Sequence, residues 1–221
     1  MNNYKSIVII HAKDNSTLFL SKFKEEFDNI YYSFSSDEKS IQKAKELICD
    51  LEPKSLIIYL GHGSSSGLYI PDNTFDYQKY FIDTTQANFY FDEHDIFLLT
   101  CKSNEFIKKI YKPNFSIGFG NIISSKEELD HHNKYSEIKK ILSVDEIDLF
   151  NNIYVKSSIK VIKLLINEKI QFIDLPKYLR FQFNQEINKI LLNKKNNNRI
   201  ELAKLLFELR NKIVIKQNLR S

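Results

Sequence analysis

Short apolar runs rich in β-branched residues, alternating with stretches of helical periodicity, constrain this 221-residue chain more than any other feature. Ile7-Val8-Ile9-Ile10 reads as a buried strand, and Phe19, Phe23 and Phe27 after it keep the spacing of an amphipathic helix. A short aromatic strand from Ile30 to Phe34 follows. Next comes a helix through Ile41, Ala44, Leu47, Ile48 and Leu51, with Ser35 and Glu38 spaced as a capping box. Pro53 closes that helix before a third run, Ser55-Leu56-Ile57-Ile58-Tyr59-Leu60. Alternation of this kind predicts parallel strands joined by right-handed crossovers. Asp95 to Leu99 and Phe115 to Gly120 extend the series, so the expected fold is α/β, a mostly parallel sheet flanked by helices.

Two of these strands end in chemically capable side chains. The third runs into Gly61-His62-Gly63-Ser64, and the next into Thr100-Cys101-Lys102-Ser103. The chain holds five glycines, where average usage of about 7% would give roughly fifteen. Three of them, Gly61, Gly63 and Gly67, surround His62. Glycine used this sparingly marks positive φ or close approach to the main chain. In a parallel sheet both tips lie at the carboxyl edge, where open α/β folds place their ligands. Ser103 is placed to cap a helix through Phe106, Ile107 and Ile110, and residues 64–94 read as a surface excursion with a short helix near Tyr77 to Phe81.

From residue 126 onward glycine is absent and long helical periodicity takes over. A capping box of Ser143 and Glu146 opens a helix with the stripe Ile147, Phe150, Tyr154, Val161 and Leu165. Asp174-Leu175-Pro176 opens a second helix, through Phe181, Ile187 and Leu191. Asn196-Asn197-Asn198 interrupts it, and a third carries Ile200, Ala203, Leu206, Leu209 and Ile213. Residues 199–221 hold six basic side chains against Glu201 and Glu208, which equals the whole chain's net charge of +4. The neutral remainder argues against direct nucleic-acid binding. No apolar run reaches the roughly 18 residues of a membrane span. The N-terminus, Met1-Asn2-Asn3, enters a strand without a leader's cleavage site, so a cytoplasmic protein is expected. Two cysteines make no disulfide framework; Cys49 falls on the apolar face of its helix and reads as core, which leaves Cys101 as the thiol of interest.

A cysteine peptidase needs a thiolate, a base beside it and donors for the oxyanion. Cys101 and His62 fit the first two roles, and the N–H groups of Gly63 and Cys101 fit the third, with no side chain on Gly63 to obstruct the substrate. A thiol is acidified beside an imidazolium or a helix N-terminus, and both are expected at Cys101.

An apolar strand ending in Gly61-His62-Gly63-Ser64, followed by one ending in Cys101-Lys102-Ser103, resembles the caspase-like cysteine proteases, most closely their bacterial CHAT (caspase-HetF-associated) branch. The resemblance implies a protease domain over residues 1–193. His62 would be its base, Cys101 its nucleophile, and the Gly63 and Cys101 amides its oxyanion hole, with no cofactor or metal. It further implies limited proteolysis of a protein substrate in a bacterial defence or cell-death system, unlocked by a regulatory or sensor protein. Leu99 stands where metacaspase-like and paracaspase-like relatives carry an aspartate that reads a basic P1 side chain, so that specificity is not implied. The basic helix within 194–221 reads either as part of the same unit or as a docking element, with Leu206, Leu209 and Ile213 as its contact stripe.

Other readings are weaker. Asp130-His131-His132 and Asp92-Glu93-His94-Asp95 are contiguous, and contiguous ligands cannot all converge on one metal ion. Ser64-Ser65-Ser66 lacks the lysine of a phosphate-binding loop. The competing class is a noncatalytic α/β signalling or scaffold domain of flavodoxin-like or TIR-like topology, binding a partner or a nucleotide.

Overall fold

The computed structural model describes residues 4–74 and 76–218. Met1-Asn2-Asn3, read above for a leader, and Arg220 of the basic segment lie outside the described residues.

The chain builds an α/β fold around a six-stranded sheet. Strands β1 (Ile7–Ala12), β2 (Tyr31–Phe34), β3 (Leu56–Leu60), β6 (Asp95–Leu99), β7 (Phe115–Gly118) and β8 (Val214–Gln217) lie in the order β2-β1-β3-β6-β7-β8. All pairs are parallel except the last, where β8 runs antiparallel to β7. A two-stranded hairpin, β4 (Gly67–Tyr69) with β5 (Tyr80–Asp83), fills part of the 64–94 excursion.

Alternation along the strands divides the core by face. Ile9, Ile58, Leu60, Phe97, Leu99 and Ile117 point to one side. They pack with Phe23 and Phe27 of α1 (Lys22–Phe27), Phe150 and Tyr154 of α6 (Val144–Ile166), Leu179 and Phe183 of α7 (Leu175–Leu192), and Leu206 of α8 (Arg199–Asn211). Val8, Ile10, Ile57, Tyr59, Ile96 and Leu98 point to the other side. There they meet Ala44 and Ile48 of α2 (Glu38–Cys49), Ala87 of α3 (Thr84–Tyr90) and Phe106 and Ile107 of α4 (Ser103–Lys109). Helix α5 (Lys126–Tyr135) stands at the carboxyl edge of the sheet, its Glu128 against His62 and Leu129 buried.

The register sets the two strand tips level. Leu60 of β3 pairs with Leu99 of β6, so His62 and Cys101 each follow a paired position by two residues, on neighbouring strands. The loop after β1 joins them, because His11 is the register partner of Leu60 on the other side of β3. With β2 and β3 on opposite flanks of β1, the crevice beyond β1 and β3 is the switch point where open α/β sheets take ligands.

Several expectations are corrected. The cap of α2 is Asp37, whose carboxylate accepts the Ser40 N–H at 2.9 Å while Ser35 donates to Asp37 instead of capping. The predicted helix near Tyr77 to Phe81 is replaced by β5, since an aromatic segment pairs with β4 more readily than it sustains a lone turn. The cap of α4 is Lys102, held at φ 54°, and Ser103 turns inward to donate to the carbonyls of Leu98 (2.8 Å) and Thr100 (2.9 Å). Cys49 is exposed, because the buried stripe of α2 runs through Ala44 and Ile48 and the next residue rotates away from it. The last helix stops at Asn211, and β8 then ties residues 214–217 into the sheet. Residues 199–217 therefore belong to the same unit as the sheet.

Candidate active site

His62 follows a backbone position that only glycine holds easily. Gly61 has φ +149°, and a Cβ there would stand 2.9 Å from the Cβ of Ala12. A Cβ on Gly63 would stand 2.4 Å from Thr100 Oγ1. Glycine at 63 thus lets the His62 loop close onto the turn that carries Cys101, as well as leaving its amide open. Among the described residues, the N–H groups of Gly63 and Cys101 donate to no protein acceptor. Both residues line a cavity of about 690 Å³ together with Ser64, Tyr69, Tyr77, Ile122 and Glu128. His62 and Cys101 also wall the same small void of about 10 Å³ beside Thr100, Ile122 and Tyr154.

The imidazole is buried and faced by acids on both edges. Nε2 lies 2.6 Å from Ser16 Oγ and 3.6 Å from Asp14 Oδ2, and Nδ1 lies 3.5 Å from Glu128 Oε1. The Tyr77 ring covers the imidazole at a centroid distance of 4.4 Å. Burial favours the neutral ring, but Asp14 and Glu128 outweigh it and raise His62 to about 9. Burial likewise opposes ionisation of Asp14, and the contacts from His62 and Ser16 overcome it, holding the carboxyl at about 2. Burial opposes ionisation of Glu128 as well, and the same imidazole together with the N–H and hydroxyl of Ser124, at 2.6 and 2.8 Å, outweighs it and lowers the carboxyl.

Cys101 is half-buried, and its thiol serves Ile122: Sγ donates to the Ile122 carbonyl at 2.9 Å and accepts the Ile122 N–H at 3.3 Å. Burial and then the Glu128 charge push the thiol well above its ordinary range. The expected acidification of Cys101 by His62 and a helix start is therefore not present in this arrangement. The reason is geometric: Glu128 occupies the Nδ1 edge of the imidazole, and Lys102 rather than a capping side chain begins the seven-residue α4. The two dyad candidates share a void but not a hydrogen bond.

The sequence singles out His62, Gly63 and Cys101, and the structure adds Asp14, Ser16, Tyr77 and Glu128 around the His62 ring. Asp14 does carry a local signal: its carboxylate caps the 3-10 helix Asn15–Ser21 right after β1, which neighbours β3. Glu128 lies in the first turn of α5 and reaches His62 only through tertiary packing. Among the described residues no three His, Cys, Asp or Glu side chains could hold a metal ion, and no helix is long and apolar enough to cross a membrane. Comparison of the chain with family models, with curated proteins and with solved structures returns no match.

The ionic cluster gives a pH signature. His62 is raised from 6.5 to about 9, so its contribution is complete below pH 6.5 and is lost as pH rises through 9. Asp14 is lowered from 3.8 to about 2, so its share is complete above pH 3.8 and is lost as pH falls through 2. Urea unfolding of wild type and His62→Gln should therefore differ most between about pH 4 and 6.5, by roughly 2–3 kcal/mol counted once for the coupled cluster. The gap should close toward pH 9.5; a constant gap from pH 6 to 9.5 would contradict a charged imidazole.

Proposed function

We propose that this chain is a caspase-like cysteine endopeptidase with Cys101 as nucleophile and His62 as its acid–base partner. One observation supports the reading above the others. A thiol and an imidazole stand level at neighbouring strand tips against one small void, and Cys101 also lines the larger cavity beside Gly63, where the N–H groups of both residues donate to no protein acceptor.

In the proposed reaction the Glu128 carboxylate leaves Nδ1, the thiol proton passes to solvent, and the thiolate replaces the carboxylate as counter-ion of the imidazolium. Sγ then bonds to the scissile carbonyl carbon, and the oxyanion is held by the Gly63 and Cys101 N–H groups. The imidazolium gives its Nδ1 proton to the departing amine, leaving a thioester and neutral His62. Water, deprotonated by His62, adds to the thioester carbonyl, and collapse of the adduct breaks the C–S bond, releasing the acid and restoring the thiolate–imidazolium pair. Thiol and imidazole are engaged elsewhere at rest, by Ile122 and Glu128, so peptide binding itself must break both contacts, and a regulatory or sensor protein would raise that basal activity. The defence or cell-death setting and the cytoplasmic location belong to the same proposal.

Peptidyl acyloxymethyl ketones test the reading against a noncatalytic signalling or scaffold domain. Such a reagent needs an activated thiol next to a peptide cleft, so mass spectrometry should find the adduct on Cys101 and not on Cys49, although Cys49 is exposed. Iodoacetamide, which needs only access, should modify Cys49. Equal labelling of both cysteines by the peptidyl reagent, or none of either, favours the noncatalytic reading.

A further inference from the structure

The hydroxyl nearest to His62 belongs to a residue that the proposed chemistry does not use. Ser16 Oγ donates to Asp14 Oδ1 at 2.7 Å, because an ionised carboxylate has no proton to give. The same oxygen lies 2.6 Å from His62 Nε2, so it accepts there, and Nε2 must carry the hydrogen. Asp14 is itself fixed from several directions. It is 4% exposed and accepts the N–H groups of Ser16 and Thr17 at 3.0 Å and of Asp72 at 3.4 Å. A carboxylate so immobilised, linked through one hydroxyl to one ring nitrogen, defines both the tautomer and the plane of the imidazole.

We propose that Asp14, acting through Ser16, is a positioning residue for His62, holding Nε2 protonated so that Nδ1 is the nitrogen presented to Cys101. The inference rests on the peptidase reading for its catalytic meaning, while its structural content stands without a substrate. The arrangement works as the carboxylate does in a hydrolase triad, orienting the imidazole without taking its proton, with a serine hydroxyl interposed. It also assigns Ser16 its chemistry. Its proton is committed to Asp14 and its N–H to the same carboxylate, so it orients the ring and does not attack. Titrating or charged groups surround the ring: His11 of β1, Asp14 in the loop after that strand, Tyr77 above the imidazole and Glu128 from α5, with Cys101 across the small void.

Nitrogen-15 NMR of the full chain tests this in wild type, Asp14→Asn and Ser16→Ala, with His62→Gln to assign the signal. Asparagine caps helices as well as aspartate, so Asp14→Asn keeps the 3-10 helix and removes the charge. The His62 midpoint should fall by at least about one unit in Asp14→Asn. Neutral His62 should be an Nε2–H tautomer in wild type and lose that bias in Ser16→Ala. With a peptide substrate, kcat should fall about a hundredfold in either variant with KM little changed, and Ser16→Thr, which restores a hydroxyl, should recover most of it. An unchanged midpoint and tautomer in both variants would overturn the proposal whatever the activity. Hydrolysis lost in Ser16→Ala but kept in Cys101→Ala would make Ser16 the nucleophile and overturn both readings. Hydrolysis absent from wild type, with the NMR shifts as expected, removes the peptidase reading and leaves the Asp14–Ser16–His62 linkage standing.

Discussion

Alanine in place of Cys101 is expected, on the proposed peptidase reading, to abolish peptide hydrolysis, lowering kcat/KM by about 10³-fold or more, because the proposed acyl intermediate forms on its sulfur. The fold should survive. The side chain is half-buried, its hydrogen bonds are two weak ones with the backbone of Ile122, and alanine keeps part of its packing against the core, so the loss is about 1 kcal/mol, or a few degrees of melting temperature. On the same reading, removal of His62 should abolish activity equally, since a nucleophile and its base act as a unit, but its effect on the fold differs. His62→Ala would leave Asp14, 4% exposed, and Glu128 facing an empty space with their counter-ion gone. Breaking such a buried pair costs about 3–5 kcal/mol. His62→Gln, which fills the space and can donate one hydrogen bond, is the fairer test of catalysis. Cys49→Ala should change neither activity nor melting. Wild-type cleavage in Cys101→Ala or His62→Gln would remove that residue from the mechanism.

How far this site could be read in advance depended on where each residue's signal lies. His62 and Cys101 stand out because an apolar strand stops abruptly at each, and the scarcity of glycine makes Gly61 and Gly63 visible. Their juxtaposition followed from topology alone, since parallel strands put both tips on one edge, and the register of Leu60 with Leu99 sets them level. The electrostatics did not follow. Glu128 reads as an ordinary first-turn acid and Asp14 as an ordinary cap, and only packing turns the first toward Nδ1 and the second toward Nε2. That packing reverses the expected state of the thiol, from acidified to protonated.

The same division runs through the fold. Strands β1, β3 and β6 were legible because each is a nearly continuous apolar run buried on both faces. Strands β5 and β8 were not, because Tyr80-Phe81-Ile82-Asp83 and Val214-Ile215-Lys216-Gln217 hold only two or three apolar residues before a charged one, and each becomes a strand through its antiparallel partner. Helix α7 was placed correctly at its start by Pro176, but its buried side runs through Leu179, Phe183 and Ile190, leaving Phe181 and Leu191 exposed. With many large apolar residues around the helix, periodicity alone could not fix which face turns inward.

Truncation after Asn198 is expected to leave no folded protein, an outcome set by where the apolar stripe of α8 lies. Leu206, Leu209 and Ile213, the stripe that sequence reasoning offered to a docking partner, are at most 1% exposed, and Leu202 and Leu205 are buried beside them. Fully burying each such side chain is worth about 1.5–3 kcal/mol. Removing all five therefore approaches or exceeds the roughly 5–15 kcal/mol that holds a domain folded. Two further losses act in the same direction. Lys140, itself buried, would lose both oxygens of Glu208, and Arg180 would lose the Ile213 carbonyl. Loss of β8 also strips the backbone partner from β7, so Phe115–Gly118 becomes an open edge that templates aggregation. The product should be insoluble, or soluble only without a cooperative melt. By contrast Phe207→Ser, on the exposed face of the same helix, should leave solubility and melting near wild type. A truncated chain that melts cooperatively within a few degrees of wild type would contradict the placement of α8 and β8 in the core and return their apolar stripe to the surface.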